Sequence, residues 1–414
     1  MSLIRAYQDK LGPGLMFAAI AVGVSHLIQS TRAGAEYGLS LIFVVILACV
    51  LKYPAFRFSS DYAAATSKPL LEGYRRQGRW VVAIYALGMP IDMFISVAGI
   101  SLVTSGIFKN VFAVPVGDVV IAVFLMISCA TILISGRYRL FENITKLIVV
   151  LFAILTVLAV CLSIPGLNLA EDNIARDVEF DRSTLLFMIA IAGWMPTSVS
   201  ASMFQSFWVC EKARLNTQGF SPRVARFDFN LGYWGTLLLA LCFVFMGTAL
   251  MYKFGISTAS SPTAFAAQLI DMFTRVIGEW SRPIIAVAAL AVMLSTMLSG
   301  LDASPRVAGH LLGYFFEGDM HRSHRSYAGF MVLEVIGASL ILFWFLTSFK
   351  TFIDFATSMA FIMSPIVAWF NHRAVFSDEM PESERPGPIM YTWSLVGIFA
   401  MLTVAVYFLF TKMT

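Results

Sequence analysis

Charge is what this 414-residue sequence has least of: Asp, Glu, Lys and Arg make up 13% of it, against 58% hydrophobic residues. A water-soluble domain carries about 25% charged residues. A chain so poor in charge cannot cover itself with polar surface, so it requires a lipid bilayer around it. Cysteine is also scarce. The five present, Cys49, Cys129, Cys161, Cys210 and Cys242, lie in or beside apolar runs without the paired spacing of a metal or redox site, and read as small packing residues. No GxxxxGK[ST] string occurs, which argues against transport driven by the chain's own ATP hydrolysis; no GxSxG or HExxH occurs, which argues against a membrane hydrolase. No segment between the apolar runs is long enough for a separate sensor or enzyme domain. The first residues, MSLIRAYQDKLGPG, lack the pattern of a cleaved signal peptide, so the first apolar segment is expected to be retained. An enzyme, a cofactor and a nucleic-acid partner are therefore not expected.

What is abundant is long apolar runs. A helix needs about 20 such residues to span a bilayer. Eleven candidate spans fall near 12–37, 39–58, 80–108, 113–135, 144–165, 183–209, 229–252, 282–313, 327–348, 351–371 and 390–411. If spans alternate, the loops carrying Arg75, Arg76, Arg79, Arg137, Arg139, Lys146, Lys212, Arg214, Arg223, Arg226, Arg322 and Arg325 share one side, and the acidic loop AEDNIARDVEFDR lies on the other. The positive-inside rule then puts the N-terminus in the cytoplasm and the C-terminus outside. A bacterial inner membrane suits a single chain with such short loops.

Two spans are interrupted. The first carries glycines at 12, 14, 23, 34 and 38, and Ser25, His26, Gln29, Ser30, Thr31 and Arg32 in its second half. The sixth has Gly193 and Met195-Pro196 at its middle, then Thr197, Ser198, Ser200 and Ser202. Proline removes a helix hydrogen bond and clashes with the preceding turn, and glycine lowers the cost of unwinding. Broken helices at membrane depth are tolerated around a protein-lined cavity. Two of them opening two five-span halves point to an inverted-repeat transporter with a midplane site; two merely kinked, packed helices are the plainer alternative.

At these residues the sequence resembles the Nramp family of proton-coupled divalent-metal transporters. The family's first span starts with Gly-Pro and ends AGAxYG, as do Gly12-Pro13 and Ala33-Gly34-Ala35-Glu36-Tyr37-Gly38 here. Its Met-Pro-His-Asn segment is matched by Met195-Pro196 followed by Thr197-Ser198, and the Asp on its proton route by Asp92. The family's nearby Glu falls on Ile95. The resemblance implies an all-α, LeuT-type fold of about eleven helices, with 12–165 and 183–371 as inverted repeats, helices 1 and 6 broken, and 390–411 as a peripheral last helix, all in one transmembrane domain.

The departures bear on the substrate. Where the family has Asp-Pro-Gly-Asn, this chain has Gly23-Val24-Ser25-His26, so the metal-binding Asp falls on Gly23 and the Asn on His26. The family's His becomes Thr197, a later His becomes Ser202, and Met195 alone survives of the metal contacts. A divalent ion at mid-membrane wants a compensating carboxylate, and the aligned position lacks one; His26 with Met195 would suit a softer ion. The same losses leave the positive ends of the broken half-helices uncompensated beside Ser25, His26, Thr197 and Ser198, a setting for a small anion such as bicarbonate. The substrate is thus a small inorganic ion, either a metal cation or an anion, bound by Gly23, Ser25, His26, Met195, Thr197 and Ser198. A pore passing current without coupling, or a receptor that binds without flux, would use the same fold.

Asp92 reads as a proton-relay acid, the alternative being a structural ion pair with a residue such as Arg32. Asp354 reads as a second relay or a gate, or as an interfacial acid beside Lys350. His26, with an unperturbed pKa of about 6.5, is a further proton carrier. Protons are thus the expected coupling ion, moving in symport; oligomeric state leaves no mark in the sequence.

Overall fold

Backbone in lipid must satisfy its polar groups within the chain, and helices do this locally. The computed structural model describes residues 12–136, 138–166, 179–215, 220–315, 324–346 and 348–413, and among these every regular element is a helix. Span 1 is α1 (Pro13–Ala21) and α2 (Thr31–Tyr37), joined through a π-helical turn at Ser25–Ser30 and bent by 49° at the break. Span 2 is α3 (Ile42–Thr66), followed by the short α4 (Leu70–Gln77). Span 3 runs from α5 (Arg79–Pro90) through a second π-helical turn, Ile91–Ser96, into α6 (Val97–Phe112). α7 (Asp118–Ile134) and α8 (Tyr138–Ser163) follow as spans 4 and 5. Span 6 is α9 (Arg182–Trp194) and α10 (Ala201–Leu215), with residues 195–200 outside any helix. Then come α11 (Pro222–Leu250), α12 (Pro262–Ile277), α13 (Arg282–Phe315), α14 (His324–Phe345), α15 (Phe349–Val375) and α16 (Pro388–Met413).

The bundle departs from the expected spans in three ways. Among the described residues seven helices are long and apolar enough to cross a bilayer, or eight with the bent pair counted as one span. The expected fourth, fifth and sixth spans rest on shorter apolar helices of 10–17 residues, α7, the Val149–Ser163 part of α8, and α9; α9 is short because the Met195-Pro196 break ends it. Second, α3 runs eight residues past its expected end at 58, so Asp61 lies inside a helix. Third, α12 was not foreseen: it is an amphipathic helix that buries Phe265, Leu269, Ile270 and Phe273 along one stripe. Arg137, Arg322 and residues 170–178 of the acidic loop lie outside the described residues, as do the side chains of Arg139 and Lys146.

Helix starts follow local chemistry. Ser221, Ser261, Ser348 and Asp181 each accept the backbone N–H three residues on, and proline follows the first two at a position with no N–H to lose. Span 1 packs on α11 backbone to backbone. A Cβ on Gly14 would lie 2.0 Å from the Asp228 carbonyl oxygen, and one on Gly232 would lie 2.1 Å from that of Gly14. Gly34 and Gly247 repeat the arrangement further along, against Val244 and Thr31. Small residues at both crossings let helices approach without side chains between them, the favoured contact where no hydrophobic drive exists. Large apolar side chains such as Leu87, Phe343, Trp344 and Phe399 point outward, as a lipid-facing surface requires.

A candidate ion site at three helix irregularities

The break in span 1, the π-helical turn of span 3 and the break in span 6 meet around one small cavity of about 50 Å³. Its polar lining comes from Ser25, Asp92, Ser96, Thr197, Ser198, Thr296 and Ser304, and its apolar wall includes Trp194 and Phe204. That volume holds a few waters or one small ion with part of its shell. Of the expected substrate-binding residues, Ser25, Thr197 and Ser198 line the cavity; Gly23, His26 and Met195 do not.

The two breaks are stitched together at Ser25. Its hydroxyl lies 2.9 Å from the Ala21 carbonyl, 3.1 Å from the Pro196 carbonyl and 2.8 Å from His26 Nδ1. His26 is fully buried, and its Nε2 sits 2.9 Å from the Thr236 carbonyl. A carbonyl can only accept, so Nε2 carries the proton and Nδ1 is left to accept. Both ring nitrogens are therefore engaged within the protein. Gly23 has a steric role here: a Cβ would lie 2.8 Å from Thr296 Cγ2, and the Thr296 hydroxyl donates to the Ala19 carbonyl at 2.9 Å, seating α13 against the break.

Asp92 lies in the π-helical turn, a feature that recurs at functional sites because it turns a side chain out of register. Its carboxyl stands beside the hydroxyls of Ser198 and Ser200 in the break of span 6, and the Ser198 hydroxyl has no hydrogen-bond partner. Asp92 makes no ion pair among the described residues. Arg32 is committed elsewhere: its guanidinium donates to both carboxylate oxygens of Asp354 at 2.8 and 2.9 Å and to Glu36 at 3.2 Å. Lys350 reaches Glu36 at 3.2 Å, Thr258 donates to the same carboxylate, and Gln29 donates to Asp354 at 3.0 Å. Asp354 is thus part of a lattice of charges over the far end of span 1 and does not line the cavity.

Part of the N–H supply expected at the broken ends is taken up within the chain. The N–H groups of Ala201, Ser202 and Met203 donate to the carbonyls of Ser198, Val199 and Ser200 at 3.0 Å, and those of His26 and Leu27 to the Gly23 carbonyl. Tight turns take these five donors before a ligand can.

At the end where span 1 begins, Asp228 accepts from the N–H groups of Gly12 (3.1 Å) and Gly14 (2.6 Å). Asp61 pairs with Arg57 and Arg226, and Glu379 with Lys68 and Arg76. Glu379, in the connection between α15 and α16, is pushed up by burial, but the Tyr62 hydroxyl, Lys68 and Arg76 outweigh this and hold it below the usual carboxylate range.

Comparison with known proteins gives the arrangement its lineage. The family description "Natural resistance-associated macrophage protein-like" matches residues 14–411. The chain belongs to this Nramp family. An uncharacterized protein of Pasteurella multocida (strain Pm70) is 31% identical over 404 residues, 96% of this chain and 91% of that one. Among solved structures, a mutant manganese transporter from Eremococcus coleocola superposes with a TM-score of 0.72 at 11% identity, over 96% of this chain and 85% of that one. MhsT in complex with L-phenylalanine gives 0.65 at 15% identity over 95% and 97% of the two chains. Mhp1, a nucleobase-cation-symport-1 family transporter, gives 0.59 at 14% over 97% and 93%. These likenesses establish a LeuT-type fold. Like its family, the chain is a multi-pass membrane protein.

Three buried charged residues escaped the sequence reading: Asp228, tied to the start of span 1, and two in the middle of apolar helices. Lys52, in α3, is 1% exposed, and Glu334, in α14, is 0% exposed. Each is a lone ionisable residue mid-way along an apolar helix, which is by itself a signal of function.

Proposed function

We propose that this chain is a secondary transporter that carries a small inorganic cation, in the first instance a divalent metal, by alternating access, with protons moving through Asp92. Membership of the Nramp family supports metal transport, and the name of its structural neighbour makes manganese the first ion to test. The observation that carries the reading is the cavity lining: one carboxyl, Asp92, among six hydroxyls. An all-oxygen set suits hard cations such as Mn²⁺ or Mg²⁺, and the single carboxyl supplies the compensating charge. Among the described residues no group of three His, Cys, Asp or Glu side chains could hold a metal, so the ion would keep part of its water. With His26 tied at both nitrogens, the softer His26–Met195 site has little support. The anion reading has less support, because several N–H groups at the breaks are engaged in turns and Arg32 is paired away from the cavity.

Orientation follows from charge. Arg57, Lys68, Arg76, Lys212 and Arg226 gather at the end where span 1 begins, which supports a cytoplasmic N-terminus, in a cell whose inner membrane would hold the chain. The bundle containing the broken spans 1 and 6 would rock against the scaffold of the other helices around the cavity.

The test is uptake by purified protein in sealed liposomes under an inward proton gradient, comparing manganese and magnesium with labelled bicarbonate. Cation uptake that loses its pH dependence in Asp92→Asn is the expected result. Bicarbonate uptake without a cation signal, or an unchanged pH profile in Asp92→Asn, overturns the proposal.

A further inference from the structure

Lys52 sits ten residues into α3 with apolar neighbours along the chain, and its side chain is sealed from solvent. Burying an ammonium in a bilayer is costly unless every donor is satisfied. Its three donors go to three backbone carbonyls: Ala192 at 2.5 Å, Gly193 at 2.8 Å and Thr197 at 3.3 Å. None belongs to a carboxylate, and Lys52 makes no ion pair among the described residues. The Phe361 ring lies over the ammonium at 5.9 Å, within cation–π range. The other titratable group beside it is the Cys49 thiol, one turn back on the same helix.

Two of the three carbonyls, Ala192 and Gly193, are among the last of α9, and the third, Thr197, lies in the break that follows. α9 stops at Trp194, and a helix end leaves its last carbonyls without partners and carries a partial negative charge. In a soluble protein water would take them. Here they face the middle of the bundle, where three converging carbonyls would form a seat for a free monovalent cation. Lys52 brings a cation there on a covalent tether, which makes its local concentration permanently high. The break is gripped from two sides: Lys52 holds the carbonyls of 192, 193 and 197, while Asp92 stands beside the hydroxyls of Ser198 and Ser200. Thr197 belongs to both the ammonium seat and the cavity wall.

We propose that Lys52 is the resident cation of the span-6 break: its tethered ammonium fills a three-carbonyl seat that a free monovalent cation would otherwise take, and so positions Thr197 and Ser198 for the ion in the cavity. The positioning part rests on the transport reading; the cation seat does not. An arginine would not substitute, because a planar five-donor fork does not match three carbonyls converging on one point.

The experiment uses full-length protein in detergent and in liposomes. Wild-type melting temperature and manganese uptake are expected to be equal in sodium, ammonium and choline chloride. Lys52→Ala is expected to melt several degrees lower in choline chloride, with ammonium or sodium restoring part of the loss in a saturable manner. Lys52→Met, which keeps much of the side-chain bulk without the charge, is expected to lose as much and regain nothing. Manganese uptake should follow the same pattern, with KM rising more than the maximal rate falls. A Lys52→Ala protein insensitive to small cations, or a Lys52→Met protein with wild-type melting and uptake, overturns the proposal. Should Lys52→Ala fail to fold, the wild-type comparison decides, because a melting temperature raised by sodium over choline would show a seat still open. Melting does not require a substrate, so absence of manganese uptake in the wild type would count against the transport reading and leave the cation seat standing.

Discussion

Neutralising Asp354 should open the far end of span 1. The Arg32–Asp354 pair is bidentate, with bonds of 2.8 and 2.9 Å, and the two side chains are 11% and 29% exposed. It ties α2 to α15, and Gln29 adds a third bond at 3.0 Å. In Asp354→Asn the amide keeps one acceptor but loses the charge, and Arg32 retains Glu36. Hydrogen bonds to charged groups contribute about 1.5–3 kcal/mol; with a partner retained and partial exposure, the lower value applies, about 1.5 kcal/mol. That weakens closure of this end by roughly tenfold. Thr357 lies directly beneath, fully buried and within 3.4 Å of Gln29. In a background free of the native cysteines, a Thr357→Cys reporter should react with a membrane-impermeant maleimide about tenfold faster when Asp354 is also Asn. Adding Arg32→Gln to that protein should change the rate little further, since the pair is already broken. A reporter rate unchanged by Asp354→Asn, or equal increments from the two substitutions, would refute the view that this pair closes the bundle.

At the opposite end, the Glu379 carboxyl is held below its unfolded value of about 4.3. A depressed carboxylate stabilises the fold above its unfolded pKa, and the contribution is lost as pH falls through the folded value. Glu379→Gln should therefore lower the melting temperature at pH 7, by an amount that shrinks as pH falls below the usual carboxylate range; a pH-independent difference would show that shape, not charge, matters at that position. Gly232→Ala should be costly out of proportion to one methyl group, about 2–3 kcal/mol, because its Cβ would meet the Gly14 carbonyl at 2.1 Å. A melting temperature within a degree of wild type would mean that span 1 and α11 part freely. Glu334 is buried beside Ser304, and neither of its oxygens has a hydrogen-bond partner. Leaving such groups unpaired costs about 1–3 kcal/mol, so Glu334→Leu should raise the melting temperature; a lower one would reveal a partner for that carboxyl in the working protein.

The fold was legible because lipid leaves few choices. Apolar length marked most helices, and proline and glycine marked both breaks, since a missing N–H and a missing Cβ act on the backbone whatever surrounds them. α12 was missed because only one stripe of it is apolar, which over 16 residues reads as a polar connection. The end of α3 was missed because Ser59, Ser60 and Asp61 look like a loop; they are helical because Arg57 and Arg226 satisfy Asp61 and the hydroxyls return to backbone carbonyls. At the site, Ser25, Thr197 and Ser198, read as substrate-binding, and Asp92, read as a proton relay, all line the cavity. His26 was not, and no pattern in span 1 alone could have shown that its ring reaches Thr236, 210 residues away, rather than the cavity.

Lys52 and Asp92 bear on why this site could dispense with ligands its relatives keep. Alignment of the first span suggested a cavity stripped of its carboxylate, and charge bookkeeping on that span alone turned a cation site into an anion site. The three-dimensional count differs. The carboxyl is supplied from span 3, through a π-helical turn that no apolar periodicity reveals, and stands beside the break in span 6 rather than the break in span 1. The positive charge behind that break is spent on three carbonyls, and the guanidinium of Arg32 on two carboxylates. Among the described residues the one ionisable group that lines the cavity is therefore acidic. Selectivity for cations would then rest largely on Asp92, so that Asp92→Asn should weaken cation binding while the uptake that remains loses its pH dependence. Asp92→Glu, longer by one methylene in a cavity of about 50 Å³, should retain proton coupling while weakening ion binding.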